Sequence, residues 1–471
     1  MTRSYELETG VRWMNPGLAL GTRSNWGLNW YIDHTSSASV DGLYGLVYVA
    51  PSPSRPRPYH LITNDTLELR QIKEAERTIQ HAAIQNHQHR DTVWKLLRMK
   101  AEGSEYYCYD SILARGVCTA VNPALSSLMV KPLMVKGAYS QLVYRMRIVR
   151  QLVRTTSHKM TVVANNGGFV VPEQTDVVYI PSAARITVLV KLDAEPGDYA
   201  IRISSTSQLQ TFRAKRLPRY GEPMTLPTPA SPKDVCLLAD ASTEPHCKTI
   251  DGQSIAPYPP KPPPASDHKH PEHVDFTFRL SAGSQPSLTE PKVPEFYLNE
   301  KPWQLFHGSM TPLLFHRLDS NEKLDKPIIS QLPIGSVVDL IIENQINDTI
   351  PLYKHGDPAW LLGSSSGQSF PGRSVKDAVS SPSSPQTSLN LHNPALVTVH
   401  DLPPLGWSVL RFQVTSQAAS MLHSAKLRYF LLGMTVPILE GITAKTPIEI
   451  PEEAFDRPHV EFEPKNDGIF G

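Results

Sequence analysis

Three stretches of this 471-residue chain bring together side chains able to do chemistry. One is Leu410-Arg-Phe-Gln-Val414 running into Met421-Leu-His423-Ser424-Ala425-Lys-Leu-Arg-Tyr429-Phe-Leu-Leu-Gly433-Met434 and then Val436-Pro-Ile-Leu-Glu-Gly441. A second is Ile350-Pro-Leu-Tyr353-Lys-His355-Gly-Asp357-Pro-Ala-Trp360-Leu-Leu-Gly363, and a third is Asn29-Trp-Tyr-Ile32-Asp33-His34. Imidazole, phenol and carboxylate groups serve as metal ligands or as general acids and bases. His355, Asp357, Asp33 and Tyr353 could run metal-independent acid–base chemistry if folding brought them within hydrogen-bond reach. Two other histidine groups read as solvated surface: His81, His87 and His89 on a helix-like segment, and Asp267-His-Lys-His270-Pro-Glu272-His273 beside polyproline.

The His423 stretch resembles the last copper-binding motif of the multicopper oxidases, the family of laccases and ascorbate oxidases. That motif is His-Cys-His, three residues, His, three residues, Gly, then Met or Leu. His423, Gly433 and the axial-position Met434 match it, whereas Ser424 stands at the Cys position, and Ala425 and Tyr429 stand at histidine positions. A serine hydroxyl cannot replace the thiolate that gives a blue copper centre its electron-transfer character. Ile350 to Gly363 is similar to the family's His-Pro-x-His-x-His-Gly-His. Pro351, His355, Gly356, Trp360 and Gly363 hold that frame, while Ile350 and Tyr353 replace two ligands. Trp30 to His34 is similar to the family's Trp-Tyr-His-x-His, with Ile32 at the first His position and His34 at the second.

The resemblance implies that His34, His355 and His423 occupy the three positions serving one copper of the family's type 3 pair. Three neutral imidazoles with an open position suit copper, zinc or iron, so at most one metal site is expected, with zinc or no metal as alternatives to copper. The competing reading is that the three histidines hydrogen-bond inside the core. Four-electron reduction of oxygen needs a trinuclear cluster fed by the thiolate copper, so ordinary laccase turnover is not expected.

The elements that must position these residues are strands. Proline is abundant, 43 residues or about twice the usual share, which favours edge strands, turns and linkers over helices. Alternation in Leu142–Val149, Ile186–Leu192 and Asp198–Ile203, and the β-branched run Ile334–Asn344, read as sandwich strands. Asn166-Gly167-Gly168 signals a tight turn, and Pro196-Gly197 a hairpin. The expected fold is all-β: three tandem cupredoxin-like Greek-key sandwiches, the first truncated. The expected units are residues 1–120 with a helical segment at 68–98, a second sandwich at 121–222, a Pro-rich linker at 223–273 and a third sandwich at 274–471. Ser364 to Ser388 reads as a disordered loop. Cys108 with Cys118, and Cys236 with Cys247, are compatible with two short-loop disulfides.

Net charge is +1, which gives no nucleic-acid footprint, and no apolar run is long enough for a membrane-spanning helix. The family is usually secreted, yet Met1 to Leu20 lacks a secretion-signal pattern; a start truncated by the gene model would explain both that and the short first unit. The resemblance implies an oxidoreductase-type homologue acting on phenolic or polyketide metabolites, working through a reduced metal site or beside a partner oxidase. The alternative is a non-catalytic homologue that binds phenolics or a partner oxidase and steers coupling.

Overall fold

Val337–Asn344 is buried at seven of its eight residues and carries apolar side chains at successive positions, a pattern that only a strand covered on both faces can use. In the computed structural model it runs parallel to Phe276–Pro286 and antiparallel to Trp407–Gln413, inside a six-stranded sheet. Val338, Leu340 and Ile342 face a second, five-stranded sheet across the main core, which also holds Leu352, Leu410, Phe412, Leu422 and Val436. Ile341 faces the other way, into a smaller cluster with Trp360, Phe370 and Trp407. The structure describes residues 26–32, 44–87, 91–103, 111–114, 117–120, 133–134, 139–147, 151–155, 158–193, 197–198, 201–205, 213–216, 218–220, 236, 242–287, 292–303, 328–380 and 389–449.

Asp339 also points to that outer face, opposite Arg411 on the neighbouring strand. Arg411 grips its carboxylate with two donors, at 2.7 and 2.8 Å, and donates to the carbonyls of Pro264 and Pro271. Both side chains are fully buried. Trp360 donates to the Lys261 carbonyl at 2.9 Å, so the proline-rich stretch is fastened over this face. It also enters a sheet: Thr249–Asp251 pairs in parallel with Val177–Ile180, so the stretch expected as a linker contributes a strand. Cys236 and Cys247 form a disulfide within it; Cys108 lies outside the described residues.

The second sandwich has a seven-stranded and a five-stranded sheet. Met160–Asn165 and Gly168–Thr175 form the hairpin expected at Asn166-Gly167, both turn residues taking positive φ (48° and 88°). Gly167 has a second constraint: a Cβ there would lie 2.4 Å from the Trp26 carbonyl. The hairpin expected at Pro196-Gly197 does not form. Arg185–Lys191 lies in the seven-stranded sheet and Ile201–Ser205 in the five-stranded one, so the chain changes sheets at that turn. A turn signal specifies a reversal, and only packing decides whether the two strands pair.

Helix is confined to the two ends of the 68–98 segment. Asp65 caps Thr66–Arg77 by accepting from the Leu67 and Glu68 amides, and Ile72 and Ala75 are buried. Thr92–Glu102 is the second helix. Between them, Gln80–His87 is a strand, parallel to Tyr139–Arg147 and antiparallel to Ser111–Ala114. His81 and His87 therefore lie on a strand, and His89 lies outside the described residues. Helix propensity was overridden by a vacant sheet position that buries Ile84. The 120/121 division thus falls inside one continuous sheet. Part of Ser364–Ser388 is ordered as well, since Val375–Ser380 is a helix burying Val375 and Ala378; residues 381–388 lie outside the described set. No described helix is long and apolar enough to cross a membrane.

His400, on Val399–Leu402, is buried with its Nε2 2.8 Å from the Ser408 hydroxyl. Burial pushes its pKa from 6.5 down to about 3. Between those values the unfolded chain binds a proton that the folded chain refuses, so stability falls as pH drops through this window, by roughly 1 kcal/mol per pH unit from this group. His400→Gln is expected to flatten the stability slope between neutral and mildly acidic pH, read by urea denaturation at a series of pH values. An unchanged slope would show that His400 is not the acid-sensitive group.

Candidate metal centre

Ile350–Lys354 pairs with Val399–Leu402 on one side and with Ala418–Ser424 on the other, which sets Tyr353 opposite His423. His355 is the first residue beyond the strand, held there by its amide donating to the Met421 carbonyl at 2.9 Å. Two histidines distant in sequence consequently meet, with their Nε2 atoms 2.9 Å apart. His423 is buried and His355 half-buried. Tyr353 lies edge-on to His355, ring centroids 4.7 Å apart, and 5.7 Å from His423; Phe430 covers His423 at 4.7 Å.

The tautomers follow from the neighbours. His423 Nδ1 is 2.9 Å from the Ser424 carbonyl oxygen, which can only accept. Nδ1 of His423 therefore carries a proton, and in the neutral ring Nε2 is a lone pair. That is the arrangement of a ligating imidazole whose other nitrogen is fixed by a backbone carbonyl. In the metal-free pair the Nε2–H of His355 donates to it.

Asp33 and His34 lie outside the described residues; Ile32 closes the Gly27–Ile32 strand. Asp357 accepts from the Thr415 hydroxyl at 2.7 Å. Ile350 and Met434 are fully buried in the apolar core with Tyr429. The Tyr429 hydroxyl donates to Asp348 at 2.7 Å, and burial raises its pKa above the usual phenol value. Lys426 pairs with the same Asp348 carboxylate. The Ser424 hydroxyl accepts from the Lys426 amide at 3.2 Å, while its own amide donates to the Met434 carbonyl. Ala425 packs against the core of the second sandwich. Gly433, at φ 109°, keeps the returning strand close: a Cβ would stand 2.7 Å from the Phe296 carbonyl.

Sequence reading missed the seam between the second and third sandwiches. Tyr179 donates to Asp401 at 2.8 Å there, and the Asp401 amide donates to Gln253. A cleft of about 460 Å³ opens beside these groups, lined by Tyr179, Asp251, Gln253, Leu361, Asp401 and Pro403 among others. Its hydrogen-bonding groups come from three distant parts of the chain, so no local motif could mark it.

Two family models, each described as multicopper oxidase, match residues 143–220 and 290–443. A laccase from Pestalotiopsis fici is 26% identical over 501 residues, covering 94% of this chain and 80% of that protein. Multicopper oxidase CTB12 from Cercospora beticola is 22% identical, covering 89% and 76%. Among solved structures, Fet3p, a multicopper oxidase that functions in iron import, aligns with TM-score 0.67 at 16% identity, over 92% of this chain and 76% of that one. The Botrytis aclada laccase aligns at 0.65 and 18%, over 92% and 72%. The matched models and the fungal relatives agree: the chain belongs to the multicopper oxidase family.

Proposed function

We propose that this laccase-like protein holds a single metal ion, copper in preference to zinc, on His355 and His423, with His34 as third ligand. The observation that carries this reading is the 2.9 Å approach of the two Nε2 atoms. Two imidazole nitrogens each about 2.0–2.1 Å from one ion stand about 2.9 Å apart at a right angle and about 3.3 Å apart at a tetrahedral angle. The spacing therefore suits a tetragonal copper site, and zinc would require the rings to separate slightly. Loading requires His355 to move its proton to Nδ1, so that both Nε2 lone pairs face the ion.

No ion fits around Ile350, Ser424, Tyr429 and Met434. An aliphatic chain, a hydroxyl engaged by the Lys426 amide and a phenol engaged by Asp348 offer neither thiolate nor imidazole. A bound copper would supply Lewis acidity and one-electron chemistry at His355 and His423, without a thiolate relay to feed it. The organic ligand in this reading is a phenolic or polyketide-type metabolite in the interdomain cleft, where Asp251, Asp401 and Gln253 accept from hydroxyl groups and Tyr179, Leu361 and Pro403 pack on a ring. A partner oxidase would then supply the electron acceptor.

The test is metal analysis of the purified full chain after copper loading and dialysis. One copper per chain, without the intense visible absorption of a thiolate-bound centre, is the expected result. A chain that retains no copper and no zinc would overturn this reading. It would favour the second one, a non-catalytic homologue in which the direct hydrogen bond between His355 and His423 is purely structural.

A further inference from the structure

The proline-rich stretch ends in Asp267-His268-Lys269-His270-Pro271-Glu272-His273, a run whose polarity reads as solvated surface. In the structure it is a tight knot of turns. The His270 amide donates to the Asp267 carbonyl at 3.0 Å, the His273 amide to the His270 carbonyl at 2.9 Å, and the Ser266 amide to the His273 carbonyl at 3.1 Å. Arg411 holds the Pro264 and Pro271 carbonyls, and the Asp275 carboxylate accepts from the Val337 amide at 2.7 Å. The knot is therefore fastened to the six-stranded sheet before, within and after the histidines.

This folding gathers three side chains that bind metals. Both imidazoles address one carboxylate oxygen: His270 Nδ1 lies 3.3 Å and His273 Nε2 3.9 Å from Oε1 of Glu272. The two rings stack with centroids 4.9 Å apart and planes 21° apart, and the three ligand atoms all lie within 4.8 Å of one another. Two ligand atoms each about 2.0–2.2 Å from a tetrahedral ion stand about 3.3 Å apart. His270 and Glu272 already have that separation, and His273 reaches it by closing about half an ångström. Access is open, because the side chains of His270, His273 and Glu272 keep 53%, 32% and 21% of their surface exposed. An ion can enter from solvent without a cavity, and water can fill the remaining position. A surface ion pair contributes little to stability and requires one histidine, whereas this arrangement converges two on one oxygen.

We propose that His270, Glu272 and His273 form a surface zinc site, two imidazoles and one carboxylate, that clamps the end of the proline-rich stretch where Arg411 anchors it. Zinc suits a mixed nitrogen and oxygen donor set at tetrahedral spacing, with three protein ligands and one water. The site shares no residue with the His355 and His423 centre. Three ligands open to solvent exchange readily, so the site is read at equilibrium and not by what survives dialysis into metal-free buffer.

The test is equilibrium dialysis of the chelator-stripped full chain against zinc. Each variant is compared with the parent, so the difference between them holds whether or not zinc also enters the His355 and His423 centre. The double variant His270→Ala with His273→Ala is expected to bind one zinc fewer per chain at saturation. Glu272→Gln, nearly the same size and shape, should weaken that one site by at least about tenfold, since even the loss of an outer partner costs 10–100-fold. His268→Ala removes an exposed histidine of the same run that is not among the three ligands, and it should leave zinc binding unchanged. Zinc should raise the thermal midpoint of the parent more than that of the double variant. Glu272→Gln also decides the matter if the double variant fails to fold. Equal zinc binding by parent and double variant, undiminished affinity in Glu272→Gln, or an equal loss in His268→Ala would each overturn the proposal.

Discussion

If the proposed centre holds copper, His423→Ala is expected to abolish its retention. The variant removes the buried ligand whose Nδ1 is already fixed on the Ser424 carbonyl, leaving His355 as the one described imidazole at the site. Loss of an outer-sphere partner alone typically costs 10–100-fold in metal affinity, so loss of a ligand should exceed about 100-fold. Copper competition against a chromophoric chelator measures this directly. His423→Gln is the informative companion: it can still hydrogen-bond to His355 but is a poor ligand for copper. If the histidine pair is only structural, His423→Gln should keep nearly full stability and neither protein should bind copper. If it is a metal site, the parent should gain stability on copper addition and both variants should not.

Arg411→Met should be the most damaging single change to the fold. It leaves the Asp339 carboxylate buried at zero exposure with no counter-charge, and it frees the Pro264 and Pro271 carbonyls at the underside of the proline-rich strap. Breaking one partner of a buried pair costs about 3–5 kcal/mol. Burial already raises the Asp339 pKa, with Arg411 opposing that shift, so in the variant the carboxyl is expected to take up a proton in part compensation. The double change Arg411→Met with Asp339→Leu should recover most of the loss, because an apolar pair of similar volume satisfies this environment. Urea denaturation of the three proteins checks it: a single variant within about 1 kcal/mol of the parent would show that the pair is not what holds the strap.

The chemistry of the centre was partly legible before any folding. His355 and His423 stand in recognisable frames, and Pro351, Gly356 and Gly433 keep the spacing, while Ser424, Ala425, Ile350 and Tyr429 bring side chains that are neither thiolate nor imidazole. Residue type determines which groups can bind a metal, and that much requires no coordinates. Strands were equally legible where the apolar pattern was long, as in Val337–Asn344 and Trp407–Gln413. The Asn166-Gly167 hairpin was too, since its backbone conformation is a local demand.

What tertiary structure alone decided are the pairings. Gln80–His87 has a helix-like composition and became a strand because a sheet edge was open beside Tyr139–Arg147. Arg185–Lys191 and Ile201–Ser205 looked like a hairpin and went to different sheets. The partners of Arg411 come from 72, 140 and 147 residues away, and the meeting of His355 with His423 spans 68. A chain announces the chemistry and conformational preference of each residue locally. The energy of a buried charge or an imidazole pair depends on which distant groups share its low-dielectric surroundings, and only the completed packing brings those groups together.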